Sequence, residues 1–256
     1  MTERDFTSYP SLAGRTVFVS GGASGIGEAI VRAFAAQGAK VGFVDILEGE
    51  GAALAEELGA EGAKVHFLRT DLTDISALQD AVLGISEALG TITVLVNNAA
   101  DDTRHDWRGE TPESWDARLA VNLKHQFFAI QAVAPGMIEA GGGSIVNFGS
   151  ISWRLGMGGM PAYTASKAAV EALTRSFARD LGKHNIRVNT VLPGWVMTKR
   201  QLELWVDEDA ERVIAERQCL PDKLMPDDLA RMVLFLAADD SAMCTSQNFI
   251  VDGGWL

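Results

Sequence analysis

Residues 16–45 read TVFVSGGASGIGEAIVRAFAAQGAKVGFVD, and their order decides the fold. Thr16 to Ser20 is a short apolar run that stops in Gly21-Gly22-Ala23-Ser24-Gly25-Ile26-Gly27. Residues 28–37 then repeat their apolar side chains at helical spacing, and Lys40 to Asp45 returns to a strand-like run. Strand, glycine turn and helix in that order present the free N–H groups of a helix start to a phosphate. Glycines at 21, 25 and 27 match neither the GxGxxG fingerprint nor a Walker loop, which would continue into Gly-Lys-Ser/Thr. Asp45 ends the second strand, where a carboxylate can accept hydrogen bonds from both hydroxyls of an adenosine ribose and repel a 2′-phosphate. No Arg or Lys stands in the glycine loop or directly after Asp45. The expected cofactor is NAD rather than NADP, with helix capping as the alternative role for Asp45.

The alternation continues outward from this unit. Helices are expected at residues 49–58 and 74–89, and strands at 63–69 and 93–96. Asn97-Asn98-Ala99-Ala100 follows the fourth strand, and Asp101 to Arg108 (DDTRHDWR) forms a polar loop on the same sheet edge. Thr111-Pro112-Glu113 opens a long helix with a capping hydroxyl and a proline at the first position. That helix reaches Ala140, with a kink or an end at Pro135-Gly136 and an unfavourably placed Asn122 inside it. Strands at 143–148, 186–192 and 248–251 and helices at 164–181 and 226–238 complete the chain. The expectation is an α/β, single-domain Rossmann fold: a seven-stranded, doubly wound parallel sheet with helices on both faces. It spans residues 1–256, with 1–13 as an N-terminal tail and 196–217 as a substrate lid.

Composition narrows the function. The chain has 256 residues, 47% of them hydrophobic, enough for one large core. A net charge of −12 and a pI near 4.8 argue against a nucleic-acid or anionic-membrane surface. No apolar run is long enough to span a bilayer and residues 1–12 lack a secretory pattern, which predicts a cytoplasmic protein. Cys219 and Cys244 have no ligand or disulfide pattern, and His66, His105, His125 and His184 form no metal-ligand pair, so no metal is expected.

The chemistry is expected in residues 148–167, FGSISWRLGMGGMPAYTASK. On a helix, Tyr163 and Lys167 stand one turn apart on one face. A nearby ammonium favours phenolate and would draw the tyrosine pKa from about 10 toward working pH, making a general base.

Over nearly its whole length the chain resembles the short-chain dehydrogenase/reductase family, at Gly21, Gly25 and Gly27, Asp71, Asn97-Asn98-Ala99, Asn122, Ser150, Tyr163 with Lys167, and Pro193-Gly194. It departs at Ser20, usually Thr, and at Ala100, usually Gly. A narrower similarity, to bacterial aldose 1-dehydrogenases of the D-xylose type, lies in residues 101–105, 148–153, 198–201 and 218–220. The resemblance implies a catalytic set of Asn122, Ser150, Tyr163 and Lys167. It implies cofactor contacts from Gly21, Ser24, Gly25, Ile26, Gly27, Asp45, Ile46, Asp71, Leu72, Asn98, Ala99, Ala100, Tyr163, Lys167, Pro193, Gly194, Val196 and Thr198. A pyranose needs convergent polar groups and an aromatic wall. Asp102, Arg104, His105, Ser150, Ser152, Tyr163 and Gln201 are candidates for the first, and Trp153, Trp195 or Trp205 for the second.

The implied activity is NAD-dependent oxidation of an aldose at C1 to the aldonolactone. Ser150 would hold the substrate oxygen, Tyr163 would take its proton, and Lys167 would hold the nicotinamide ribose. Asn122 would organise a water route. The nearest alternative is a short-chain enzyme acting on a secondary alcohol or a 3-oxoacyl substrate. The partners expected are a small sugar and further copies of the chain, as a dimer or tetramer formed through the two long helices, with no nucleic acid and no membrane.

Overall fold

The computed structural model describes residues 7–256. Among them, β1 (Thr16–Ser20), β2 (Lys40–Asp45), β3 (Lys64–Arg69), β4 (Ile92–Asn97), β5 (Gly143–Phe148), β6 (Ile186–Pro193) and β7 (Asn248–Val251) form one sheet. All pairs are parallel, in the order β3-β2-β1-β4-β5-β6-β7. The order reverses between β1 and β4, and this opens a crevice at the carboxyl ends of those two strands.

Strand alternation assigns the layers. Val17 and Val19 face one side, where Ile30 and Phe34 of α1 (Gly25–Ala36) meet Leu229 and Val233 of α9 (Pro226–Ala237). Leu54 and Leu58 of α2 (Glu48–Ala60) extend that cluster. Phe18 faces the other side, against Leu78 and Ile85 of α3 (Ile75–Leu89) and Ile130 and Met137 of α5 (His125–Glu139). Burying such side chains on both faces, at about 1.5–3 kcal/mol each, explains the near-continuous apolar strands. At Gly42 in β2 a Cβ would lie 2.2 Å from Ile85 Cγ2, so α3 seats on the sheet only because that position has no side chain.

Three local expectations change. The helix carrying the Tyr-Lys pair, α6 (Pro161–Leu181), starts before Tyr163, so Tyr163 lies inside its first turn. The long helix is interrupted: α4 (Pro112–Leu119) passes into a π turn at Ala120–Lys124 before α5 resumes. Pro135 neither ends nor replaces the helix, because α5 runs through it to Glu139. Gln131, whose carbonyl loses its intrahelical donor to Pro135, is exposed and open to water. Of the expected tail, residues 1–6 lie outside the described residues. The remainder packs on the domain, with Leu12 fully buried and Tyr9 N donating to Gln37 Oε1 at 2.7 Å. Residues 196–217 carry two short helices, α7 (Lys199–Leu204) and α8 (Glu208–Arg217).

Candidate active site

At the carboxyl end of β1 the chain turns through Gly21 (φ 66°) and Gly25 (φ 58°), where any other residue would be strained. A Cβ on Gly27 would lie 1.8 Å from Gly21 O, so the loop closes on itself only without one. Ser24 precedes α1 and makes no side-chain cap, which leaves the first N–H groups of this twelve-residue helix without a bond from the capping side chain. Two neighbours brace the loop. Asn98 Nδ2 donates to Ser20 O at 3.1 Å and Gly21 O at 2.9 Å, and the Ser20 hydroxyl accepts from Asn98 N and Ala99 N at 3.0 and 3.1 Å. Serine thus supplies the hydroxyl this position requires. Thr198 reaches over from the far side, with its methyl 3.2 Å from where a Gly25 Cβ would stand.

Asp45 is buried at the tip of β2, where its carboxylate accepts from Ala23 N at 3.0 Å and Leu47 N at 3.1 Å. Arg69 is its register partner on β3, and its side chain turns to Glu48 at 3.8 Å. That arginine is forty-odd places from the glycine loop, and only strand pairing brings it near. Ile46 beside it is 60% exposed, an apolar surface open at the crevice, and Leu72 is buried. Asp71 is exposed with its carboxylate turned to its own loop, accepting from Thr73 N and Oγ1 at 2.9 and 2.8 Å; these bonds hold it below the usual carboxylate range. Pro193 and Val196 are buried, and a Cβ on Gly194 would lie 2.7 Å from Asp252. Ala100 is exposed.

Asn122 sits at the centre of the π turn, fully buried. Its Nδ2 donates to Arg118 O and Asp101 O, both at 3.0 Å, while its Oδ1 accepts from Asp101 N at 3.0 Å. The side chain thus spends its hydrogen bonds on docking the loop after β4, which is where the helix gives up its α geometry. His125, one turn on, is fully buried and is pulled down to about 3, by burial first and by the charge of Lys167 second.

Ser150 follows β5, accepts from Ser152 N at 3.1 Å, and shares a hydrogen bond with the Tyr163 phenol. Lys167 is buried, donates to Phe148 O at 2.8 Å, and lies 5.6 Å from the Tyr163 ring centroid. The expected depression of Tyr163 is not met. Its phenol is pushed up to about 12, by burial first and Asp102 second; a hydrogen bond with Ser150 and the Arg104 charge pull it partway back. Burial also pulls Lys167 down to about 7, opposed by Asp102. Burial disfavours the charged forms of both groups, the ammonium of Lys167 as well as the phenolate of Tyr163, so neighbourhood alone does not bring the phenol down.

The polar wall beside this pair is a chain of bonds. Trp195 Nε1 donates to Gln201 Oε1 at 3.0 Å, Gln201 Nε2 to Asp102 Oδ2 at 2.7 Å, and Arg104 Nη1 to Asp102 O at 2.9 Å. Arg200 on α7 adds ion pairs to Asp101 at 3.3 Å and Asp102 at 3.5 Å, contacts that no spacing in the sequence signals. Two expected residues point elsewhere. His105 Nδ1 bonds Thr103 O (3.1 Å) within its own loop and its Nε2 accepts from Ala162 N (3.3 Å), so the ring joins that loop to the residue before Tyr163. Trp153 donates Nε1 to Glu171 Oε1 at 2.6 Å, two turns along α6 and roughly 12 Å of helix rise from Tyr163. Ser152 is buried, with a hydroxyl that has no partner.

A family model described as enoyl-(acyl carrier protein) reductase matches residues 21–256. A Rhizobium meliloti protein named "Probable galactose dehydrogenase GalD" is 49% identical over 249 residues, covering 97% of each chain. The chain belongs to the short-chain dehydrogenase/reductase family. A second relative of this family, the D-xylose 1-dehydrogenase of Caulobacter vibrioides, is 44% identical over 247 residues, 96% of this chain and 98% of that one. Among solved structures, a blue fluorescent protein from a metagenomic library, in complex with NADPH, superposes with a TM-score of 0.88. It is 35% identical and covers 96% of this chain and 99% of its own. As a short-chain dehydrogenase/reductase, the protein is an oxidoreductase that acts on CH–OH groups and binds a nicotinamide cofactor. The residues present fit that group: the Gly21–Gly27 cradle, the uncapped start of α1 for a diphosphate, and exposed Ile46 for an adenine face. No helix among the described residues is long and apolar enough to cross a membrane, and none of their side-chain clusters could hold a metal ion.

Proposed function

We propose that the protein oxidises an aldose at C1 to the aldonolactone, with NAD as the hydride acceptor and Tyr163 as general base. The observation that carries this reading is the bonded wall Trp195–Gln201–Asp102–Arg104, whose charged members act on the Tyr163 phenol itself. A carboxylate and an amide converging beside the base suit a substrate rimmed with hydroxyls. The names of the two sugar dehydrogenases support it. NAD is preferred because the Asp45 carboxylate, fixed by Ala23 N and Leu47 N, opposes a 2′-phosphate.

The bound cofactor supplies a hydride acceptor whose ring carries a positive charge. Ser150 donates a hydrogen bond to the substrate oxygen, and Tyr163 takes the C1 hydroxyl proton. Lys167 holds the nicotinamide ribose, and Asn122 keeps the proton route open by pinning Asp101. Segment 196–217 acts as the lid, held to the site by Gln201 and Arg200. Half-exposed Trp115 and Phe127, on α4 and α5, would pack in a dimer or tetramer of copies of the chain. Two unpaired cysteines fit a cytoplasmic location.

The test is NADH or NADPH formation from a panel of aldoses (D-xylose, L-arabinose, D-galactose, D-glucose, L-rhamnose, L-fucose), with Tyr163→Phe as control. Turnover on one or two sugars with NAD, lost in the control, is expected. Silence on every sugar, with turnover of simple secondary alcohols, would replace the substrate class.

A further inference from the structure

Three tryptophans are candidates for the aromatic wall of the site, and their indole N–H groups differ. That of Trp153 is taken by Glu171, and that of Trp195 by Gln201. That of Trp205 is buried and donates to nothing. Indole nitrogen is a donor only, so no change of tautomer relieves it, and a buried donor without an acceptor is a standing cost to the fold.

The ring is nonetheless held in place. Trp205 N donates to Gln201 O at 2.9 Å at the end of α7, which ties it to the residue whose side chain reaches Asp102. The Arg104 guanidinium lies over the ring, 4.9 Å from its centroid. That guanidinium is in turn bound to Asp102 O at 2.9 Å and lies 3.2 Å from Met160 Sδ, three residues before Tyr163. The orphan donor therefore belongs to the same bonded unit as the substrate wall, and it is carried by the segment proposed as a lid.

We infer that Trp205 is a specificity-determining residue whose indole N–H donates to one ring hydroxyl of the substrate when the 196–217 segment settles on it. This inference rests on the aldose reading above. It assigns the aromatic member of the sugar pocket to Trp205, and leaves Trp153 and Trp195 as structural supports. A hydroxyl oxygen accepting this bond completes a donor that the protein leaves open, so a sugar lacking that oxygen is discriminated against by more than its lost area.

The experiment compares kcat/KM for the wild type and Trp205→Phe, each with NAD, on the preferred aldose and on each of its monodeoxy analogues. The wild type should lose about tenfold on one analogue, Trp205→Phe should lose about tenfold on the parent sugar, and the two losses should overlap rather than multiply on that analogue alone. Replacement of Trp205 by benzothienylalanine, which keeps the bicyclic ring and lacks only the N–H, should reproduce the effect and separates it from lost packing. If the losses multiply for every analogue, or the benzothienyl variant behaves as wild type, the inference is overturned while the aldose reading stands. If the wild type turns over no aldose, both fall together.

Discussion

Gln201 Nε2 donates to Asp102 Oδ2 at 2.7 Å, joining α7 to the loop after β4 across ninety-nine residues of sequence. The same carboxylate raises the proton affinity of both Tyr163 and Lys167. Asp102→Asn keeps the shape and removes the charge. Phenolate then forms at lower pH, so the acidic limb of kcat/KM for oxidation should move down the pH scale, while KM for the sugar rises about tenfold. A limb that stays in place in a full pH profile would show that Asp102 does not act on the base.

Tyr163→Phe should lower kcat by about 10²–10⁴, the usual contribution of a positioned base. Cofactor affinity, followed by NADH fluorescence, should change little, because the Gly21–Gly27 cradle is untouched. Equal losses in both would point to collapse of the first turn of α6 instead.

His125 supplies a stability signature. It is fully buried and held near 3, against 6.5 when free, so the unfolded chain binds a proton that the folded chain refuses. Its neutral burial costs nothing above pH about 6.5, and stability is lost progressively as pH falls from there toward 3. At pH 4 this amounts to about 3 kcal/mol. His125→Asn should flatten that loss, as read from guanidinium midpoints at pH 4 and pH 7. Parallel curves for the two proteins would contradict it.

Gly27→Ala puts a methyl 1.8 Å from Gly21 O, a backbone atom that cannot step aside cheaply. Melting temperature should drop by the equivalent of about 1–3 kcal/mol, and NAD binding should weaken with it. Native affinity in a calorimetric titration would mean the loop tolerates widening.

Asp45→Asn should raise the NADP-to-NAD ratio of kcat/KM at least about tenfold, since the carboxylate is replaced by a neutral donor and Arg69 stands on the adjacent strand. An unchanged ratio would transfer cofactor choice to other residues.

Periodicity and glycine placement are local properties, and they were enough to read the parallel sheet, the phosphate cradle and the helix bearing Tyr163 and Lys167. Strand alternation such as Val17, Phe18, Val19 names its two faces without reference to anything distant. Tertiary structure alone decided the rest. The π turn at Asn122 arises because that side chain bonds Asp101, twenty-one residues away, and no helical pattern records such a debt. The proton affinities of Tyr163 and Lys167 follow from burial and from Asp102, so a Tyr-Lys spacing that specifies a neighbour does not specify its charge. The roles of the three tryptophans, alike in sequence, part because Glu171 and Gln201 satisfy two of them and leave the third open. Hydrogen-bond satisfaction is a property of the assembled chain, since each donor finds its acceptor in another element.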